Sequence, residues 1–184
     1  MDEPALPSFR YYRDPFADGT FKVEPDVPCL QCSRLRGYIY TGPVRTEKNF
    51  ILEDHLCPWC IADGSAAKRF GALFNDAGTM DDVSQEVMKE IEERTPGFRA
   101  WQDWGWLTCC EDATVFLGIA GAKELKRDFP DAIPAVMEHL TDDYGLSGKD
   151  LKEFFEGLSK DDQPTAYIFQ CSHCQSYLAC VDQT

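Results

Sequence analysis

Cys29-Leu-Gln-Cys32 and Cys57-Pro-Trp-Cys60, with twenty-four residues between them, decide how this chain is read. Two Cys-x-x-Cys pairs at that separation can place four thiolates at the corners of a tetrahedron, which zinc satisfies at about 2.3 Å per sulfur. A closed site of four sulfurs leaves no coordination position for water. Its expected role is to hold the fold together.

The flanking residues say what kind of module surrounds the cysteines. Cys29 and Cys32 are expected on a tight knuckle, followed by Arg36-Gly-Tyr-Ile-Tyr-Thr-Gly-Pro-Val44, whose aromatic and β-branched residues read as a strand stopped at Gly42-Pro43. Asn49 to Leu52 is expected as the return strand. After the second pair, Ala62, Ala66, Ala67 and Phe70 recur at helical spacing up to Gly71, so Ile61 to Phe70 reads as one helix. Knuckle, hairpin and a second ligand pair opening a helix form a treble-clef-like order, and a helix N-terminus favours thiolate charge.

Other uses of these cysteines fit less well. Disulfides belong to oxidising compartments, and Met1-Asp-Glu-Pro-Ala-Leu-Pro7 has neither the basic nor the apolar region of a signal peptide. Cys57-Pro-Trp-Cys60 resembles a redox dithiol at a helix start, but the upstream pair favours metal. Pro28-Cys29-x-x-Cys32 matches half of a zinc-deaminase signature, whose His-x-Glu is missing upstream.

Composition sets the wider frame. With 184 residues, 43% of them hydrophobic and 12% aromatic, the chain can build one or two cored domains. No apolar run approaches the ~18 residues of a membrane span, so a cytoplasmic protein is expected. Nine cysteines point to metal, and three histidines leave little for histidine-based catalysis. Residues 1–75 carry 10 acidic and 9 basic side chains, net −1, whereas residues 76–184 carry 22 and 9, net −13. That field repels phosphate backbones and attracts basic partners. Nucleic acid is therefore not the expected ligand of the second half.

Two segments are expected: residues 1–75, an N-terminal arm plus the zinc module, and residues 76–184, an acidic helical segment with the second cysteine cluster; the alternative is that both form one compact unit. Phe9, Tyr11, Tyr12, Phe16 and Phe21 give the arm rings to pack on the module. Asp82-x-x-Gln85 resembles a capping box for a helix through Glu93, with Val83, Val87, Met88 and Ile91 on its apolar stripe. Trp101, Trp104 and Trp106 read as a core wall. Val115 to Gly121, an apolar stretch broken by glycine, opens a middle region read as helical. Helices follow over Ala122 to Asp128, from Asp131, and from Ser147-x-x-Asp150. The class is α+β, closed by a C-terminal β-hairpin, Thr165 to Gln170 and Ser176 to Val181.

That hairpin encloses Cys171-Ser-His-Cys174. With the adjacent Cys109 and Cys110 it suggests a second zinc knuckle, in which Cys110, Cys171 and Cys174 are joined by Cys109 or His173. Neighbouring strand residues point to opposite faces, so Cys109 and Cys110 can share a metal only if the backbone turns there. Cys180 alternates with Leu178 and reads as core.

Leu6-Pro-Ser-Phe-Arg-Tyr11, Arg36 to Pro43, Leu56-Cys-Pro-Trp-Cys-Ile-Ala-Asp-Gly64, Arg94-Thr-Pro-Gly97 with Trp101-Gln102, and Phe169-Gln-Cys-x-x-Cys174 together resemble the CbrC family across essentially the whole chain. The resemblance implies metal ligands at Cys29, Cys32, Cys57, Cys60, Cys110, Cys171 and Cys174. It implies tolerance to a nuclease colicin, with members proposed as immunity proteins beside secreted toxins. No enzymatic activity comes with it. The expected function is a non-enzymatic, zinc-stabilised binding protein that neutralises a basic toxin domain, a nuclease. Alternatives are a metalloenzyme with an open second zinc site and Glu111 or Asp112 as general base, and a regulatory adaptor for a host protein.

Overall fold

The computed structural model describes residues 5–46, 50–101 and 105–182. It is a mixed α+β chain that divides into two compact units, Met1–Arg99 with Trp104–Ala113, and Ala100–Asp103 with Thr114–Thr184.

In the first unit, β1 (Phe21–Val23) and β2 (Tyr38–Tyr40) form an antiparallel pair with Phe21 opposite Tyr40. The partner of the Tyr38–Tyr40 strand is thus the N-terminal arm. Residues 50–52 form no strand, and Asn49 lies outside the described residues. The arm wins because it brings aromatic rings: Phe16 stacks on Phe21 at 5.0 Å between centroids, Phe9 on Phe21 at 5.8 Å, and Phe21 meets Tyr40 at 5.7 Å. Aromatic contacts of this kind add about 0.5–1.5 kcal/mol each beyond burial. Tyr11 and Tyr12 are buried with them.

The expected single helix over 61–70 is two short ones, α1 (Pro58–Ala62) and α2 (Ser65–Phe70). Gly64 breaks them by taking a left-handed φ of 74°, and the Asp63 carboxylate accepts from Ser65 N at 2.8 Å. This Asp-Gly turn overrides the helical spacing. Next, α3 (Gln85–Arg94) buries Ile91 and packs on α1 and α2. Its cap is Ser84, whose Oγ accepts from Val87 N at 3.3 Å. The expected Asp82 box lies two residues too early. The unit closes on β3 (Thr108–Cys109) and β4 (Asp112–Ala113). Trp106 is buried, whereas Trp101, in the second unit, is 55% exposed. The expected wall of three tryptophans therefore fails at Trp101, and Trp104 lies outside the described residues.

The second unit is a three-stranded antiparallel sheet of β5 (Val115–Ala120), β6 (Thr165–Gln170) and β7 (Tyr177–Asp182), with β6 in the centre. The stretch expected within a helical region is therefore a strand over Val115–Ala120. Val115, Phe116 and Ile119 suit a sheet, and Gly118 (φ 145°) sits at a register shift after Phe116, which lets the strand continue. Between β5 and β6 run α4 (Ala122–Asp128), one 3-10 turn (Pro130–Ala132), α5 (Ile133–Asp142) and α6 (Gly148–Gly157). Ser147 stands before α6 without a side-chain capping bond. Leu125, Val136, Leu140, Phe155 and Leu158 bury against Ala120, Ala166, Ile168 and Val181 of the sheet. Covering one face with helices leaves the outer faces of α5 and α6 to carry charge.

Candidate metal centres

Cys29, Cys32, Cys57 and Cys60 come together in the first unit, their sulfurs all within 4.8 Å of one another. The 29–32 pair rides a backbone knuckle in which Ser33 N donates to Cys29 O at 2.7 Å and Cys29 N donates to Arg34 O at 3.0 Å. The knuckle closes through Ser33 at a φ of 57°. Cys57 is the residue before α1, and Pro58 opens that helix, where a missing N–H costs nothing. The two pairs are stitched by Leu30 N donating to His55 O at 2.8 Å and Cys57 N donating to Cys29 Sγ at 3.3 Å.

This donor set fits a zinc ion. A tetrahedron with bonds of about 2.3 Å has sulfur–sulfur edges of about 3.8 Å, and Cys32 and Cys57 are 3.9 Å apart. Cys29, Cys57 and Cys60 are 1%, 0% and 3% exposed and Cys32 is half-buried, so most of the site is shielded from water. In such a place four thiols share few negative charges. Hydrogen bonds from the Cys57 and Cys60 thiols hold Cys29 far below the usual thiol range, while the hydrogen bond to Cys29 pushes Cys57 up to about 12, and those to Cys29 and Cys57 push Cys60 higher still. A dication reverses that conflict, because a coordinating thiol is deprotonated outright.

The second group of sequence-derived ligands is built from two local motifs. Cys171–Cys174 repeats the first knuckle bond for bond: Gln175 N donates to Cys171 O at 3.1 Å, Cys171 N donates to Ser176 O at 2.9 Å, and Gln175 takes a φ of 63°. His173 N donates to Cys171 Sγ at 3.4 Å. Cys109 ends β3 and Cys110 opens the β3–β4 connection, and the turn that two adjacent ligands require is present. Cys110 and Glu111 take φ values of 54° and 59°, Cys109 faces Asp112 in the ladder, and the two sulfurs are 3.7 Å apart. The first unit thus offers the Cys109–Cys110 pair and the second unit the Cys171–Cys174 pair, each two thiol donors suited to a metal ion. Cys110 and Cys174 are exposed, unlike the ligands of the first group.

Asp112, one of the two carboxylates suited on sequence to act as a base, is 5% exposed and already engaged. It accepts from Arg10 Nη2 at 2.7 Å, Tyr11 Oη at 2.6 Å and Ala113 N at 2.9 Å. Nothing in the sequence links Tyr11 to Asp112 across 101 positions. Cys180 is buried, as its alternation with Leu178 suggests, and burial pushes its thiol up.

The model of the uncharacterised protein family UPF0167 matches residues 6–183. The chain belongs to the UPF0167 family. It is 44% identical over 179 residues to UPF0167 protein Mb2317 of Mycobacterium bovis and to UPF0167 protein MT2352 of Mycobacterium tuberculosis, covering 96% of this chain and 93% of each relative. It is 39% identical over 183 residues to UPF0167 protein PA1536 of Pseudomonas aeruginosa, covering 93% of both chains. Neither the family model nor these UPF0167 relatives carries the CbrC name. No solved structure matches the chain. Among the described residues, no helix of this UPF0167 protein is long and apolar enough to cross a membrane.

Proposed function

We propose that this protein is a zinc-stabilised binding protein whose acidic unit docks a basic protein, and that the partner is a nuclease toxin domain which it neutralises. The first cysteine group, in a treble-clef-like setting, supplies rigidity and no chemistry. The toxin as partner follows from the resemblance to the CbrC family.

One observation carries the basic partner. Residues 128–162 hold ten acidic and three basic side chains, and all ten acids are exposed. Asp142 and Asp143 end α5, Asp150, Glu153 and Glu156 line α6, and Asp161 and Asp162 follow it. Salt bridges of Lys126 with Glu156 and Lys149 with Glu153 neutralise only part of this charge. A face of one sign steers an oppositely charged partner and speeds encounter, most strongly at low salt. The same face would compete with nucleic acid for a nuclease's basic cleft.

Calorimetric titration against basic nuclease toxin domains, at low and moderate salt, tests the proposal. One-to-one binding that weakens with salt and abolishes nuclease activity is expected. Replacing Asp142, Asp143 and Glu153 together by lysine should slow association at least tenfold. An unchanged association rate would remove the electrostatic reading, and no binding to any domain of the panel would remove the toxin.

A further inference from the structure

The Cys109–Cys110 turn is an improbable piece of backbone. A two-residue hairpin with both central residues at positive φ is normally made of asparagine, aspartate and glycine. Here those residues are Cys110 and Glu111, and a left-handed conformation costs a residue with a Cβ roughly 1–2 kcal/mol. Each strand of this hairpin contributes only two residues, Thr108–Cys109 and Asp112–Ala113. The ladder alone is too short to pay that strain, so other contacts must hold the turn.

Asp112 supplies them. It lies directly opposite Cys109 in the ladder, and its buried carboxylate is tied to the arm by the Arg10 guanidinium and the Tyr11 hydroxyl and to its own strand by Ala113 N. Tyr11 is itself 1% exposed, and its ring lies 4.7 Å beneath the Arg10 guanidinium carbon. Burial and the Asp112 carboxylate keep the Tyr11 hydroxyl protonated, so it remains a donor.

We infer that Asp112, with Tyr11 and Arg10, is the positioning group that presents Cys109 and Cys110 as a preformed dithiol to a thiophilic metal ion such as zinc. The inference rests on the reading that these two cysteines hold metal. The carboxylate touches no metal. It fixes the turn, so the two sulfurs are already at the edge length a tetrahedral site needs, and ordering them costs little when the ion arrives. Outer partners of this kind are worth 10–100-fold in metal affinity.

The test is zinc competition against a chromophoric chelator on the intact chain, with cobalt(II) substitution to report sulfur ligation of each equivalent. The wild-type chain should bind two equivalents. Asp112→Asn should weaken one of them 10–100-fold and leave the other unchanged, and Tyr11→Phe, which keeps the carboxylate, should weaken the same one by less. Glu111→Gly placed in the Asp112→Asn chain should restore most of the loss, because glycine takes positive φ without penalty. Equal weakening of both equivalents, no weakening of either, or no rescue by Glu111→Gly would overturn the positioning role. A wild-type chain that binds one equivalent would instead overturn the reading on which the role rests.

Discussion

The Tyr40 hydroxyl accepts a hydrogen bond from Gly97 N at 2.9 Å, joining the strand beside the first knuckle to the turn that ends α3, 57 residues away. The same hydroxyl donates to Pro43 O at 2.7 Å. A Cβ on Gly97 would lie 3.0 Å from that hydroxyl and closer still to Phe74 O, and one on Gly42 would lie 2.7 Å from Gly97 O. The blocks Arg36 to Pro43 and Arg94 to Gly97 are therefore two sides of one contact. Tyr40→Phe leaves the buried Gly97 N–H without its acceptor and should cost about 1–3 kcal/mol. Gly97→Ala overpacks the same spot and should cost about 1–3 kcal/mol. Urea unfolding of both variants measures this.

Removing metal should separate the two cysteine groups. The buried first group joins the knuckle to α1, so Cys57→Ser should abolish one zinc equivalent and sharply lower the melting temperature. Exposed Cys110→Ser should abolish the other with a smaller loss. Thermal melts with zinc quantification decide between them; equal losses would contradict the burial argument. Acid should release metal from both groups, because protons compete with zinc for thiolate.

The start of α3 gives a sharp local comparison. Ser84→Ala removes the acceptor of Val87 N and should destabilise the chain by about 1 kcal/mol. Exposed Asp82→Ala should change stability by less than about 0.5 kcal/mol. A larger effect at Asp82 than at Ser84, read by chemical denaturation, would move the cap back to where the sequence pattern suggests it.

Four tyrosines should resist alkali. Burial pushes Tyr11, Tyr12, Tyr40 and Tyr167 well above the ordinary value of 10.0, with Asp112 adding to the effect at Tyr11 and Asp18 at Tyr12. Their folded values are raised, so the stability they contribute is complete below pH 10 and is lost as pH climbs above it, where only the unfolded chain ionises. Absorbance at 295 nm should show these four titrating together with unfolding. Independent titration near pH 10 would contradict their burial.

The sequence by itself determined what depends on short range. The Cys-x-x-Cys spacings, the α4 span Ala122–Asp128 and the charge excess of residues 76–184 are written within a few positions of one another, because ligand geometry, helical period and composition are local. The α+β class and the first four-cysteine group follow from these patterns. Tertiary structure decided what depends on partners. The strand at Tyr38–Tyr40 pairs with Phe21–Val23 because the arm brings three rings to it. Residues 115–120 become a strand because Thr165–Gln170 offers them an edge. Cys109 and Cys110 turn where β3 ends, and Asp112, the ladder partner of Cys109, is held by Tyr11 from 101 positions away. Such pairings are settled by burial and hydrogen bonding between distant segments, and no local periodicity encodes them.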